Sequence, residues 1–546
     1  MKSFLYLFNP ENDMALACGD LYYMAPASAR KMAADLSALP GWYAGDGATV
    51  LLATKEQVAW MAAAEQVAGM EAAEQVAWME ATEQVAGMEA AEQVAGMEAA
   101  EQVAWMEAAE QVAGMEAAEQ VAGMEAAACG EGTSALERPV SAVWAKGTEG
   151  RLAPAGVRWQ CWDGAAPLTD GKAFDRLCPW GWNPSLVRRL REAGIPEALL
   201  PDAERMQTLR TLSGRQTAVR VLQRLHERWR ETSECLDGAA LLGTSFVLTT
   251  EAEVKAFVEG RPHALLKAPW SGSGRGVQYT HGQVTAPLQG WVRHVLHTQQ
   301  AVVGEPFYEK VIDFAMEFRV EAGSETATGT SVSSAMAASA ITASAGSTVA
   351  ASAMAASLSA SPSRVRFTGY SLFETDARGI YKENWLASDA AIEARLAAYV
   401  PVADLHRLRR LLEEELEEAL QGAYEGYLGV DLMICRGSAA GTYALHPCVE
   451  INLRTNMGVV ARRLYDNYVS PASQGRYVIE FYPQPGEALR RHQAMQEAHP
   501  LVVEDGRLRS GYFSLTPVFE DTAYQAYGIV EEVKEEKLAK EAMEEK

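Results

Sequence analysis

Apolar strands alternate with helical segments over the first 200 residues. Four apolar runs predict β-strands: Phe4–Phe8, Thr49–Ala53, Gly156–Trp162 and Arg176–Pro179. Apolar residues at helical spacing follow the first and last runs, in Met14–Ala17 and Ser185–Leu190. Strands that alternate with helices indicate a small parallel α/β domain. The loops Asn9–Asp13 and Trp180–Asn183 then lie at the carboxyl ends of strands, where ligands bind, although well-packed turns explain them equally.

The rest of the chain shows both periodicities. Residues 316–320 and 365–370 alternate like paired strands. From Asp404 to Leu420, leucines recur on one helical face, which predicts a helix packed on a core. An apolar strand follows over Tyr427–Ile434. We also expect a strand over Gly511–Val518 and a charged, frayed helix over Glu531–Lys546.

Two low-complexity segments interrupt these patterns. Residues 56–126 contain eight near-copies of Glu-Gln-Val-Ala-(Gly/Trp)-Met-Glu-Ala-Ala. A nine-residue period places successive apolar residues on opposite sides of a helix and leaves no continuous apolar stripe. Residues 326–363 are rich in Ser, Ala and Thr and contain no charge. We interpret both as insertions outside the core; a partner-binding role for the repeat is the alternative, although a heptad period is absent.

Composition and charge narrow the possible partners. The 546 residues carry a net charge of −24, of which 15 negative charges lie in the repeat, leaving −9 for the rest. This balance argues against a broad nucleic-acid surface. The seven cysteines are odd in number and form no Cys-x-x-Cys pair, which is typical of free thiols. With no signal-peptide pattern and no apolar run that spans a bilayer, we expect a cytoplasmic location.

The strand over Val449–Asn456 carries the first candidate chemistry. Glu450, Asn452 and Arg454 alternate with apolar residues and therefore share one face. A carboxylate and an amide oxygen suit Mg²⁺, and a guanidinium suits a phosphoryl or carboxylate group. Asp431, on the preceding strand, adds a further oxygen ligand if the two strands pair. The alternative is a surface strand that holds a salt bridge.

A second candidate lies between Ala264 and Val277. A strand that bears Lys267 enters a loop rich in Gly and Ser, over residues 271–276, and then a further strand. Such a loop can fold its backbone N–H groups around phosphates. It lacks the spacing and the following helix of a Walker A loop, and a flexible hairpin is the alternative. The strand over Ala301–Ile312 breaks at an acidic residue and could offer backbone groups to an adenine.

These motifs, in this order, resemble the ATP-grasp superfamily over roughly residues 213–463. The resemblance implies that Asp431, Glu450 and Asn452 bind metal and that Lys267 and Arg454 act on the phosphates. It also implies nucleotide contacts, with Arg215 in place of a phosphate-binding lysine. The remaining nucleotide-binding residues that it implies are Ser271, Gly272, Ser273, Gly274, Arg275, Gly276, Glu309, Lys310, Val311, Ile312 and Glu317. Residues Arg319, Arg366, Tyr370, Lys382 and Asn384 could line the acceptor side or occupy ordinary sheet positions.

The resemblance predicts an α/β N-terminal domain followed by an α+β ATP-grasp domain. We place the first over residues 1–200, with an insertion at 55–130, and the second over 201–480, with an insertion at 324–363. A C-terminal region over 481–530 and a charged tail over 531–546 follow. The implied function is an ATP- and Mg²⁺-dependent carboxylate ligase that acts through an acyl phosphate, with Mn²⁺ as an alternative metal. The implied partners are a small-molecule carboxylate and a nucleophile, without nucleic acid or membrane; the alternatives are a non-catalytic nucleotide-binding or regulatory protein and a scaffold.

Overall fold

The architecture consists of three main sheets and the helices packed on them. The structure is a computed structural model, which describes residues 3–63, 142–144, 152–154, 156–164, 166–168, 174–231, 240–271, 276–321, 364–375, 381–504 and 506–533. The first sheet is parallel, the second is antiparallel, and the third has ten strands. The predicted α/β content, with a parallel sheet near the N-terminus, is therefore confirmed.

Four short parallel strands form the N-terminal sheet. They are β1 (Phe4–Leu7), β2 (Thr49–Leu52), β5 (Arg158–Cys161) and β6 (Arg176–Pro179), and a separate antiparallel pair consists of β3 (Ala142–Trp144) and β4 (Leu152–Pro154). The parallel order is β5-β2-β1-β6. The accompanying helices are α1 (Asn12–Cys18), α2 (Ala27–Asp35), a 3-10 turn (Leu39–Trp42) and α3 (Pro184–Glu192). Asn183 caps α3 because its side chain accepts a hydrogen bond from Leu186 N at 3.0 Å.

Two helices lead from this domain to the second sheet. After a 3-10 turn (Glu197–Leu199) they are α4 (Ala203–Leu212) and α5 (Arg215–Glu231). The small antiparallel sheet consists of β8 (Phe246–Leu248), β9 (Ala264–Lys267), β10 (Val277–Thr280) and β11 (Val302–Pro306), in the order β10-β9-β11-β8. Two helices, α6 (Glu251–Glu259) and α7 (Ala286–Gln299), bury Val254, Phe257 and Val292 in its own apolar core.

The large sheet joins the central and C-terminal parts of the chain. Its strands are β7 (Ala240–Leu241), β12 (Lys310–Glu321), β13 (Arg364–Thr375), β14 (Tyr381–Leu386), β15 (Gly426–Arg436), β16 (Tyr443–Asn452), β17 (Ser473–Phe481), β18 (Val502–Glu504), β19 (Arg507–Ser514) and β20 (Tyr524–Glu532). Their order is β18-β19-β20-β17-β14-β13-β12-β15-β16-β7. The predicted pairing of residues 316–320 with 365–370 is confirmed, since Phe318 lies opposite Phe367.

Helices cover the large sheet and complete its core. They are α8 (Asp389–Leu396), α9 (Val402–Leu420), α10 (Met457–Tyr468) and α11 (Glu487–Ala498). The predicted leucine face of α9 is confirmed, because Leu405, Leu408, Leu412 and Leu416 are completely buried. These residues belong to the largest apolar cluster of the described part of the chain.

The C-terminal strands differ from two of our predictions. The strand expected over Gly511–Val518 occupies Arg507–Ser514. Residues 531 and 532, expected in a frayed helix, end β20, where Glu532 lies opposite Ser473 and contacts Arg509. Their high charge reflects an exposed strand end rather than a helix, and residues 534–546 lie outside the described part. β17 ends at Phe481, where we placed the start of the C-terminal region, and pairs with β20 of that region; the domain boundaries stay predictions.

The first repeat copy starts inside the folded structure. Residues 55–63 are helical, and the side chain of Met61 is completely buried. Gln57 is also buried; its amide donates to the carbonyl of Ala34 at 2.8 Å and accepts from Ala53 N at 3.0 Å. Our prediction that the whole repeat lies outside the core is therefore wrong for this copy, since periodicity alone does not reveal tertiary contacts. Residues 64–130 and 324–363, which carry the remainder of both predicted insertions, lie outside the described part.

Two general observations complete the fold. In the part of the chain that the structure describes, no helix has both the length and the apolarity needed to cross a membrane. The five described cysteines, Cys18, Cys161, Cys178, Cys435 and Cys448, are free thiols, as predicted.

Candidate active site

A cavity of about 1290 Å³ lies between the small sheet, the large sheet and the N-terminal domain. The small sheet contributes residues from β9, β10 and β11 to one end. Strands β12, β15 and β16 form the centre, and helix α1 of the N-terminal domain reaches it. A cavity of this size, with several charged side chains converging on its centre, is typical of ligand sites in enzymes.

Lys267 and Glu305 form a buried ion pair at the small-sheet end. They lie on the neighbouring strands β9 and β11. His446 Nε2 lies 3.3 Å from the other carboxylate oxygen of Glu305 and is itself fully buried. Burial opposes ionisation of Glu305, but Lys267 and His446 outweigh it and lower its pKa to about 2. Glu305 is therefore a carboxylate at neutral pH, and it fixes the ammonium group of Lys267 beside the cavity.

The three predicted metal ligands come together at the centre. Asp431 on β15 lies directly opposite Glu450 on β16, and Asn452 Nδ2 donates to Asp431 Oδ1 at 3.2 Å. Burial, followed by repulsion from Glu450, raises the pKa of Asp431 well above its usual range. Two carboxylates and an amide oxygen suit a hard divalent cation, which would relieve this repulsion. These residues therefore fit Mg²⁺, although the described residues contain no group of three His, Cys, Asp or Glu side chains arranged to hold a metal ion.

Arg215 connects the metal ligands to the small sheet. Its guanidinium donates to Glu450 Oε2 at 2.7 Å, to the carbonyl of Ala268 at 2.8 Å and to Ser271 Oγ at 2.6 Å. The residue begins α5 and is 6% exposed. Predicted to bind phosphate, Arg215 thus lies at the entrance of the glycine-rich loop and contacts a predicted metal ligand.

Arg454 reaches across the cavity to the N-terminal domain. Its guanidinium binds the carboxylate of Asp13 with N–O distances of 3.0 and 2.8 Å, a bidentate arrangement. Burial opposes ionisation of Asp13, but Arg454 outweighs it and lowers the pKa of Asp13. Asp13 is a site residue that the sequence analysis did not single out individually. The only signal for it was its place in the loop Asn9–Asp13 after the first strand.

The two N-terminal loops pack together beneath this pair. Asn9 Nδ2 donates to the carbonyl of Gly181 at 2.8 Å, and Asn183 Nδ2 donates to Asn12 Oδ1 at 3.1 Å. The carbonyl of Trp180 accepts from Thr455 N at 3.0 Å. We considered two explanations for these loops, a well-packed turn and a position at a ligand site, and the structure is compatible with both. The turns hold α1 and Asp13 against the segment that carries Arg454.

Glu317 lies on β12 beneath the centre of the cavity and is buried. Asn456 Nδ2 donates to its Oε2 at 2.8 Å. Burial raises the pKa of Glu317 to about 8, in spite of this hydrogen bond. A Cβ atom on Gly458 would collide with Oε1 of Glu317, so only glycine permits this close approach. At neutral pH, Glu317 is thus largely a neutral carboxylic acid.

The segment predicted to contact an adenine, Glu309–Ile312, lies partly in a loop and partly in a strand. Residues 307–309 link β11 to β12, whereas Lys310, Val311 and Ile312 already belong to β12. Lys310 lines the cavity and contacts Asp313, and its Nζ donates to Thr375 Oγ1 at 3.0 Å. Glu309 lies at the rim and accepts from Arg436 Nε at 2.7 Å. Ile312 packs on the large core instead, because the register of β12 with β15 shifts between Lys310 and Ile312 and interrupts the regular alternation of the strand.

The glycine-rich loop is described only at its two ends. Ser271 and Gly276 both line the cavity. Gly272, Ser273, Gly274 and Arg275 lie outside the described part, and their role stays a prediction.

Of the five acceptor-side candidates, only Asn384 lines the cavity. Arg319 is buried and stacks on the ring of Tyr427 at 4.6 Å. Arg366 and Lys382 are exposed and pair with Glu321 and Glu374, respectively. Tyr370 is buried in the core of the large sheet. Ordinary sheet positions therefore explain these four residues, because a pattern of alternation does not reveal which face of a strand borders the cavity.

Neither protein-family models nor curated proteins match this chain. Solved structures do align with it. N5-carboxyaminoimidazole synthetase from Staphylococcus aureus with bound ADP shows 9% identity and a TM-score of 0.36, over 68% of this chain and 79% of the other. Biotin carboxylase from Campylobacter jejuni shows 12% identity and a TM-score of 0.36, over 67% and 73%. D-cycloserine synthetase DcsG shows 12% identity and a TM-score of 0.28, over 57% and 90%.

These aligned structures are ATP-grasp enzymes, the superfamily that the motifs of this chain resemble. Their identities and TM-scores are low, and a shared fold does not fix a reaction or a substrate. The function proposed below therefore rests on the side chains of the cavity.

Proposed function

We propose that this protein is an ATP- and Mg²⁺-dependent carboxylate ligase of the ATP-grasp type. The observation that supports it most is the pairing of Asp431 with Glu450 at the centre of the cavity. Arg215, Lys267 and Arg454 surround that pair. Transfer of a phosphoryl group requires alignment and charge neutralisation rather than a protein nucleophile, and this set of side chains provides both.

The proposed role of each residue follows from its position along the cavity. Lys267, fixed by Glu305, and Arg215 lie at the small-sheet end, where they would bind the phosphates of ATP. Asp431, Glu450 and Asn452 would hold Mg²⁺ or Mn²⁺, which neutralises charge on the phosphates when bound. Arg454, held by Asp13, lies on the opposite side and would orient the substrate carboxylate or the transferred phosphoryl group.

The reaction that fits these positions has two steps. An oxygen of the substrate carboxylate attacks the γ-phosphorus of ATP, and ADP leaves. An amine, thiol or other nucleophile then attacks the acyl phosphate and displaces phosphate. Glu317, neutral at physiological pH, could donate a hydrogen bond to an oxygen in the cavity without adding negative charge.

The test is a Glu450→Gln variant. We expect Mg²⁺-dependent release of ADP to be lost, because the variant removes one ligand charge without changing the shape of the side chain. Glu259→Gln, on the exposed face of α6, is the matched control and should retain wild-type activity. Unchanged turnover in Glu450→Gln would refute the ligase assignment.

A non-catalytic nucleotide-binding protein is the second candidate. One observation favours it: all three cations predicted to contact the phosphates are paired with carboxylates, Arg215 with Glu450, Lys267 with Glu305 and Arg454 with Asp13. This candidate predicts that ATP with Mg²⁺ raises the unfolding temperature while no ADP is released with any carboxylate. The ligase predicts both effects together.

A further inference from the structure

The cavity has a second end, remote from the small sheet, that the proposed reaction leaves without a role. It lies between α2 of the N-terminal domain and the strands β14, β17 and β20. Met32, Ile479, Phe481 and Tyr524 line it, and the rings of Phe481 and Tyr524 lie 4.8 Å apart. Phe481 remains 56% exposed. We refer to these four residues as the apolar end.

Charge is distributed unevenly along the cavity. Every described Asp, Glu, Lys and Arg that lines it belongs to α1, α5, β9, β11, β12, β15 and β16 or to the loops that follow them. Of the described lining residues, those on α2, α10, β13, β14, β17 and β20 carry no charge. A charged group bound at this end would lose part of its hydration without gaining a partner of opposite charge among the residues that line it, which is unfavourable.

The polar side chains near the apolar end bind one another. Asn384 Nδ2 donates to Ser371 Oγ at 2.5 Å, and Asn384 Oδ1 accepts from the hydroxyl of Tyr381 at 2.6 Å. Asn384 is 1% exposed. Because these donors and acceptors already have partners, they do not require a polar ligand.

We infer that the apolar end binds the aryl or alkyl body of the carboxylate substrate, which bears no charge besides its reacting carboxylate. This inference rests on the proposed ligase function and specifies its substrate. The body would fill the space beside Ile479 and Phe481, and the carboxylate would face Arg454 at the centre. The carboxylate rather than the nucleophile is assigned here because Arg454, which lines the same cavity, suits a carboxylate and not an amine.

The test is trapping of the acyl phosphate with hydroxylamine. The carboxylate oxygen forms a bond to the γ-phosphorus while the bond between that phosphorus and the β,γ-bridging oxygen breaks, releasing ADP. The hydroxylamine nitrogen then attacks the acyl carbon, phosphate leaves, and a proton passes to solvent. In the presence of ATP, MgCl₂ and hydroxylamine, we expect 3-phenylpropanoate and hexanoate to give hydroxamate. Their yield should be at least about tenfold higher than that of succinate or aspartate at equal concentration, because transfer of an aryl or alkyl group out of water contributes at least this factor to binding.

Two variants locate the effect in the cavity. Phe481→Asp places a charge at the apolar end and should raise the half-saturating concentration of 3-phenylpropanoate about tenfold while that of ATP stays unchanged. Val247→Asp is the matched control, since Val247 is an exposed apolar residue, at 41%, on β8 and does not line the cavity. It should behave like the wild type.

The outcomes separate this inference from the proposed function. Release of ADP with succinate or aspartate, but not with the apolar acids, would overturn the inference and keep the ligase. Stimulation by an apolar amine, with a charged acid as the acyl donor, would do the same. An absence of ADP release and hydroxamate with all acids would overturn the proposed function, and the inference with it.

Discussion

Glu305 and Asp431 are acidic side chains in the same cavity whose pKa values shift in opposite directions. Glu305 faces Lys267 and His446, which lower its pKa to about 2 despite burial. Asp431 faces Glu450, and burial together with this like charge raises its pKa. The difference indicates two roles. The first carboxylate is balanced by buried cations of the protein and belongs to the framework, by which we mean the buried contacts that stabilise the fold. The second lies beside the like charge of Glu450, which suits the cation site proposed above.

The largest expected effect is a loss of activity, without a loss of stability, when Asp431 is substituted. We expect Asp431→Asn to lower Mg²⁺-dependent ADP release at least about 100-fold, because it removes a ligand charge. The free energy of unfolding without metal should remain equal or rise, since the variant replaces a carboxyl group whose ionisation is opposed by burial and by Glu450. ADP-release assays and urea unfolding measure the two quantities. A marked loss of stability would contradict the role of a cation site.

Removal of the negative charge from the buried ion pair of Lys267 and Glu305 should instead destabilise the fold. Glu305→Gln leaves Lys267 buried without a carboxylate, which costs about 3–5 kcal/mol for a broken buried pair. Urea unfolding at pH 7 measures this change. The control is Glu309→Gln at the exposed rim, where loss of the Arg436 pair should change stability by less than about 1 kcal/mol. Equal effects of the two substitutions would show that Glu305 is not part of the framework.

The pH dependence of stability should show the opposite signs directly. The pKa of Glu305 is lower in the folded state than its usual 4.5, so its contribution is present above pH 4.5 and is lost as pH falls toward 2. The pKa of Asp431 is raised, so its contribution is largest below its usual pKa of 3.8 and decreases as pH rises. The destabilisation of Glu305→Gln relative to the wild type should therefore disappear at low pH. The stability of Asp431→Asn relative to the wild type should increase from pH 4 to pH 7. Unfolding curves at several pH values test both trends.

A smaller effect is expected at the connection between the domains. Asp13→Asn keeps the shape of the side chain but removes the charge that holds Arg454. We expect a loss of about tenfold in kcat for ADP release, a typical cost for a group that orients an active-site residue, with little change in the KM for ATP. Asp202→Asn, which retains an N-cap at α4, is the control and should leave both constants unchanged. A higher KM for ATP with unaltered kcat would contradict a positioning role.

The smallest effect is expected for the repeat beyond its first copy. A deletion of residues 64–126 should change the free energy of unfolding by less than about 1 kcal/mol, because the buried contacts of Gln57 and Met61 are retained. A deletion of residues 56–126 removes both side chains and should cost about 2–5 kcal/mol. Thermal and urea unfolding of the two deletions compare them. Equal stability of the two variants would show that the first copy is no part of the framework.

Local sequence patterns predicted the strands that carry the site, but they predicted the contacts between these strands less well. Alternation located Glu450 and Asn452 on one strand and Asp431 on another, and the register of β15 with β16 places them together. The pair of Asp13 with Arg454 joins residues 441 positions apart, and no periodicity encodes such a contact. His446 was missed for the same reason: it stands in an apolar strand, and its partner Glu305 lies in another sheet. Strand ends were displaced where charged residues continue a strand, as at Glu532.

The first and last described strands share one apolar core, which has a consequence for synthesis of the chain. Phe4 and Tyr6 of β1 pack in the same cluster as Phe513 and Tyr524. Trp42 Nε1 donates to the carbonyl of Leu515 at 2.7 Å, and Asp35 accepts from Tyr524 N at 3.0 Å. The N-terminal domain therefore cannot complete its packing on the ribosome until Leu515 and Tyr524 have been translated. Until then the part of its apolar surface that packs on these strands is exposed, and exposed apolar surface of this kind favours aggregation.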